Sequence, residues 1–223
     1  MEFERVDNLC LLENSLSHIL CEIERHLPLY FRVAKESHLV LYRAMVEALR
    51  GTAKIQVTGR SADKKKVVHY KIGEEPWCKI EKVKIEDCKH AWRYSAPLKI
   101  DNPPLSENND ELFKPSDFLK GFYELIAKVQ TVCFMCQYVN SKPIQITNDD
   151  MLLLEWLHEQ IRNEFEHFVP KLYSVHKEDL INSSALCLEL SFKLLFESHN
   201  IIPSSDITTI KQSIEKSLKR LKI

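Results

Sequence analysis

Apolar side chains recur at three- and four-residue spacing through most of this chain, and that period commits it to helices. From Asp7 to Leu27, the positions Leu9, Leu12, Leu16, Ile19, Ile23 and Leu27 line one helix face. Asp7 is available as N-cap, and Pro28 is expected to end or kink the helix. A second helix is predicted over about Ala34 to Leu49, carrying Leu41, Met45, Ala48 and Leu49, with Gly51 as its stop. Helix returns at Ser116 or Asp117, with Phe118, Phe122, Leu125, Val129, Val132 and Cys136 as its stripe. Asn148-Asp149-Asp150 reads as an N-cap followed by acidic first-turn residues, which suit the positive end of a helix dipole. The helix it opens carries Leu154, Leu157, Ile161, Phe165 and Phe168. Another covers about Glu178 to His199, and the last starts near Ser204 or Ser205 with Ile207, Ile210, Ile214, Leu218 and Leu221 on one side.

The period changes between Thr52 and about Ile100. Ile55 and Val57, then Val68, Tyr70 and Ile72, then Val83 and Ile85 alternate with polar residues, which predicts two or three short antiparallel strands. Asp101 to Lys114, with Pro103-Pro104 and Asn108-Asn109-Asp110, reads as a loop. The expected fold class is mainly α: an antiparallel helical bundle with a small antiparallel β insertion at about 52–100. A single domain over 1–223 is expected, with 52–114 inserted between the second and third helices.

Composition narrows the function. The chain has 4 glycines, and neither GxGxxG nor GxxxxGK[ST] occurs, so the common nucleotide-cradling loops are excluded. The formal net charge is −1, which argues against non-specific coating of nucleic acid. Any RNA must therefore be handled transiently, through a local patch or a partner. The acidic start Met1-Glu2-Phe3-Glu4-Arg5 does not read as a signal peptide, and no run approaches the ~20 apolar residues of a membrane span. The 7 cysteines are odd in number and mostly in apolar context, which fits a reduced cytoplasmic setting better than a disulfide framework.

The segment Arg162-Asn163-Glu164-Phe165-Glu166-His167 carries the main candidate chemistry. On a helical wheel with Ile161 at zero, Leu154, Leu157, Phe165 and Phe168 fall within about 40° of it. Arg162 then lies near ~100°, Glu166 near ~140°, Asn163 near ~200° and His167 near ~240°, all away from the core stripe. Asn163 and His167 are an i,i+4 pair, as are Arg162 and Glu166. Taken alone, such an arc is what any amphipathic helix presents to solvent.

The order of these residues, Arg then Asn then His four positions after the Asn, resembles the signature motif of the HEPN superfamily. The resemblance implies a HEPN-like antiparallel helical bundle with the motif on a late helix. Many members are metal-independent endoribonucleases, sometimes toxins or defence effectors restrained by an antitoxin or activated by a partner. The implied roles are His167 as general acid/base, Arg162 as phosphate stabiliser, and Asn163 as the residue that orients the scissile group or holds His167. These residue types suit the reaction: histidine moves protons near neutral pH, and arginine offers a planar fork of donors to a charged phosphorane. Resemblance to the family also implies a homodimer that places two motifs in a composite cleft, RNA as transient substrate, and no metal or other cofactor. The chain departs from members that carry a tyrosine two positions after the histidine, because Val169 stands there and Tyr173 does not match the spacing. Pro170 is expected to end the motif helix within a turn of His167. The alternative is a non-catalytic HEPN-like module that binds a protein or nucleotide partner.

Other constellations are weaker. Cys133-Phe134-Met135-Cys136 is a CxxC without a second pair, and Cys78, Cys88 and His90 do not complete a known zinc spacing. Arg60 to Lys71, with Lys64-Lys65-Lys66, His69 and Tyr70, reads as a basic hairpin whose charge more often solubilises a strand edge than binds RNA. Lys211 to Lys222 is basic but amphipathic, hence a packing helix. Ser183-Ser184 forms no nucleophile–base pattern, and Glu36 and His38 are placed near the start of the second helix, where they can line a cleft.

Overall fold

The computed structural model describes residues 7–50, 57–59, 70–72, 75–78, 81–95, 118–132, 134–163, 174–201 and 207–222. Six α-helices occur among them: α1 Asn8–Ile23, α2 Tyr30–Arg50, α3 Phe122–Val129, α4 Asn148–Trp156, α5 Lys177–Phe192 and α6 Ile207–Leu221. Both α4 and α5 run on into π-helical turns, Leu157–Asn163 and Lys193–Glu197 respectively. The chain is mainly helical with a small amount of antiparallel sheet, as the periodicity predicts.

Helix α2 is the centre of the bundle. Its apolar stripe includes Leu41, Met45 and Leu49, and it packs along both α1 and α5, while α1 also packs on α6. Side chains fix the pairing direction. Asn8 at the start of α1 donates to the Arg43 carbonyl and to Glu47 near the end of α2, each at 2.9 Å, so α1 and α2 are antiparallel. Helix α5 runs alongside α2 in the same sense: Lys177 at its start lies over the Tyr30 ring, and Asn200 beyond its end donates to the Ala48 carbonyl at 2.6 Å.

The turn from α1 to α2 is organised by one carboxylate. Helix α1 ends at Ile23, short of the expected Leu27, which is 77% exposed. Glu22 accepts from the Leu29 amide at 3.0 Å and from Arg25 at 3.0 and 3.1 Å, which draws the chain out of the helix before Pro28. The Leu29 amide, aided by Arg25 and Arg32 and opposed by desolvation, holds the Glu22 carboxyl below its ordinary value of 4.5. A carboxyl lowered by folding contributes stability that is present above its unfolded pKa and is lost as pH falls through the folded one. Glu22→Gln is therefore expected to flatten the acid limb of the stability curve, read by denaturant unfolding at pH 7 and pH 3. An acid limb identical to that of the wild type would remove Glu22 from this role.

Among the described residues the strands form three antiparallel pairs: β1 Thr58–Gly59 with β6 Phe118–Leu119, β2 Tyr70–Ile72 with β3 Glu75–Cys78, and β4 Glu81–Lys84 with β5 Trp92–Ser95. β1 and β6 bring together the two ends of the segment between α2 and α3, and the Lys120 amide donates to the Val57 carbonyl at 2.9 Å beside them. This pairing corrects the expected helix start at Ser116 or Asp117. Phe118 lies in a strand, Gly121 is the N-cap, and α3 begins at Phe122. The helix also ends earlier than the stripe suggested, at Val129, with Val132 48% exposed and Cys136 in a loop. The β4–β5 hairpin turns through Asp87, which takes a positive φ of 63° tolerated by aspartate. Its tip docks on α4, where Glu155 accepts from the Lys89 and His90 amides at 2.9 and 2.8 Å.

Helix α4 is capped by Thr147 rather than Asn148. The Thr147 hydroxyl accepts from the Asp150 amide, and the Asp150 carboxylate accepts from the Thr147 amide, a reciprocal capping box. Thr147→Ala is expected to cost about 1 kcal/mol in denaturant unfolding. A cost near zero would mean that packing alone sets the start of α4. The expected loop 101–114 and the start of the last helix near Ser204 or Ser205 lie outside the described residues.

Candidate functional site

The motif helix changes character where the candidate chemistry begins. Leu154, Leu157 and Ile161 are buried, as the stripe predicts, but from Leu157 to Asn163 the backbone is π-helical. A π turn bonds i to i+5, so it inserts a residue into the α repeat and rotates the side chains beyond the insertion. Arg162 is accordingly not on an open outer arc. It is half-buried, and its charge acts on the side chains of His38 and Tyr42 in α2. Such turns recur at functional positions in helices.

His38 is 2% exposed, on the core side of α2 between Ala34 and Leu41. Its Nε2 lies 2.9 Å from His158 Nδ1, and His158 stands four residues before Arg162 on the same π turn. Phe122 lies against both rings: its centroid is 4.6 Å from His158 with planes 5° apart, and 4.5 Å from His38 at 31°. Tyr123 meets His158 edge-on at 5.0 Å and 71°. The Tyr123 hydroxyl donates to Glu159 at 3.0 Å, and the Tyr42 hydroxyl donates to the Lys120 carbonyl at 2.8 Å.

These surroundings set the charge states. Burial, then the neighbouring His158 and Arg162, push His38 down from 6.5 to about 3, so it is neutral near physiological pH. Burial pushes the Tyr42 phenol up, with Arg162 acting in the opposite sense. Burial and the Glu159 carboxylate raise the Tyr123 phenol, which therefore stays protonated as a donor. The cluster places the Arg162 guanidinium near a neutral His38 and the Tyr42 and Tyr123 phenols in a partly dry setting, where a charge-assisted hydrogen bond to an anion is stronger than in water.

Of the three site residues read from the sequence, the structure describes Arg162 fully and Asn163 as the last backbone position of the π turn. The Asn163 side chain and all of His167 lie outside the described residues, as do Val169, Pro170 and Tyr173. No protein-family model matches the chain, and no curated protein or solved structure does. The HEPN resemblance thus rests on Arg162 to His167 and on the helical setting.

The remaining candidates resolve more simply. Glu36 accepts from the Ser15 hydroxyl at 2.6 Å and ties α2 to α1. Ser183 and Ser184 are buried and donate back to the Leu180 carbonyl. Cys133, the side chain of Cys78, and residues 60–69 of the basic hairpin lie outside the described residues. Cys88 is buried and His90 exposed, and among the described residues no group of three or more His, Cys, Asp or Glu can hold a metal. Helix α6 buries Ile207, Ile210, Ile214 and Leu221, as a packing helix should.

Sequence reading missed His158, Tyr123 and Tyr42. One signal was present: a histidine at position 38, in phase with Ala34, Leu41 and Met45, implies a buried imidazole that needs a polar partner.

Proposed function

We propose that this chain is a HEPN-like, metal-independent endoribonuclease in which Arg162 holds the scissile phosphate. The observation that supports it best is the setting of Arg162, a half-buried cation on a π turn beside neutral His38. In this reading the 2′-oxygen of a ribose attacks the adjacent phosphorus and forms an O–P bond while the bond to the 5′-oxygen breaks. His167 takes the 2′-hydroxyl proton, and an imidazolium returns a proton to the departing 5′-oxygen. The products are a 2′,3′-cyclic phosphate and a 5′-hydroxyl. Arg162 stabilises the charge that builds on the non-bridging oxygens, and Asn163 orients the phosphate or holds His167. Two copies of the motif in a homodimer supply the second proton carrier.

RNA would be a transient substrate, consistent with a net charge of −1. A cytoplasmic setting suits the free, exposed thiols of Cys10 and Cys21. No described helix is long and apolar enough to cross a membrane. A toxin or defence effector, restrained by an antitoxin or activated by a partner protein, is the biological role that the resemblance favours. The half-burial of Arg162 also supports a second reading, a non-catalytic helical module in which Arg162 is structural and the chain binds a protein or nucleotide partner.

Incubating the purified protein with RNA in EDTA, beside an Arg162→Ala, His167→Ala double variant, separates the two. Cleavage in EDTA that the double variant loses is the expected result. Equal cleavage by both proteins would sink the site assignment, and no cleavage by the wild type, alone or with its cellular partners added, would favour the binding module.

A further inference from the structure

We draw no further inference here: the strongest candidate, the exposed face of the β4–β5 hairpin where Trp92 stands opposite Lys84, carries nothing, because Glu86 and Asp87 in the adjoining turn offset Lys84 and Lys89 and nothing in the structure shows what covers it.

Discussion

On the proposed ribonuclease reading, replacing Arg162 by alanine is expected to lower the rate of RNA cleavage by about 100- to 1,000-fold, the usual loss when one preorganised donor to a transition-state oxyanion is removed. The expectation comes from where the residue sits. Its guanidinium is half-buried beside an imidazole that stays neutral because burial, His158 and Arg162 itself disfavour the charged form. Water screens such a cation less than one on an open surface, so its interaction with a phosphorane is correspondingly stronger. Arg162→Lys should recover little of the loss, since an ammonium cannot present the planar fork of donors. Removing the charge should also raise the His38 pKa above about 3, because one of the causes that lowers it is gone. A histidine titration by NMR checks that second effect without any substrate. Cleavage by Arg162→Ala at the wild-type rate would show that the π turn does not carry the reaction.

The largest effect on stability is expected at Leu41. This side chain is 1% exposed on the stripe of α2, the helix that packs against both α1 and α5. Leu41→Ala removes buried methyl groups and leaves a cavity between packed helices, at a cost of about 2–5 kcal/mol. A domain of this size loses roughly 2–4 °C of melting temperature per kcal/mol, so the change is readable in a thermal scan. Leu27→Ala is the matching control. Leu27 was expected on the buried face of α1, but it is 77% exposed beyond the end of that helix, so its truncation should cost within about 0.5 kcal/mol. Equal losses from the two substitutions would contradict a bundle centred on α2. Leu41 also lies next to Tyr42 and three residues from His38, so the same variant is expected to loosen the imidazole cluster.

Helices were readable in the sequence wherever a single amphipathic stripe decided the local structure. Leu12, Leu16 and Ile19 in α1, Leu41 and Met45 in α2, and Leu154, Leu157 and Ile161 around the motif are all buried in the expected phase. The failures fall where a distant partner overrules the local pattern. Phe118 has the spacing of a helix residue, yet its backbone pairs with Gly59. Leu27 continues the α1 stripe, but Glu22 turns to take the Leu29 amide and the helix stops.

The site shows the same limit. A wheel of about 100° per residue put Arg162 on the solvent side. The π turn breaks that period, and nothing in the local sequence announces it. Arg162 and Asn163 could be singled out because their order carries a family likeness. His158, Tyr123 and Tyr42 belong to no motif and are brought together only by the packing of α2, α3 and the π turn. His38 was noticed and placed near a cleft; its burial and its imidazole partner are properties of the tertiary structure.

The most direct measurement is the chemistry of the cut itself. A short RNA carrying a single 2′-deoxy nucleotide on the 5′ side of the scissile phosphate is compared with its all-ribo parent, in EDTA, with product termini read by mass spectrometry. The parent should yield a 2′,3′-cyclic phosphate and a 5′-hydroxyl, and the single missing 2′-oxygen should abolish cleavage at that phosphate. Cleavage of the deoxy-substituted position, or products ending in a 5′-phosphate, would contradict a reaction through the 2′-oxygen at Arg162.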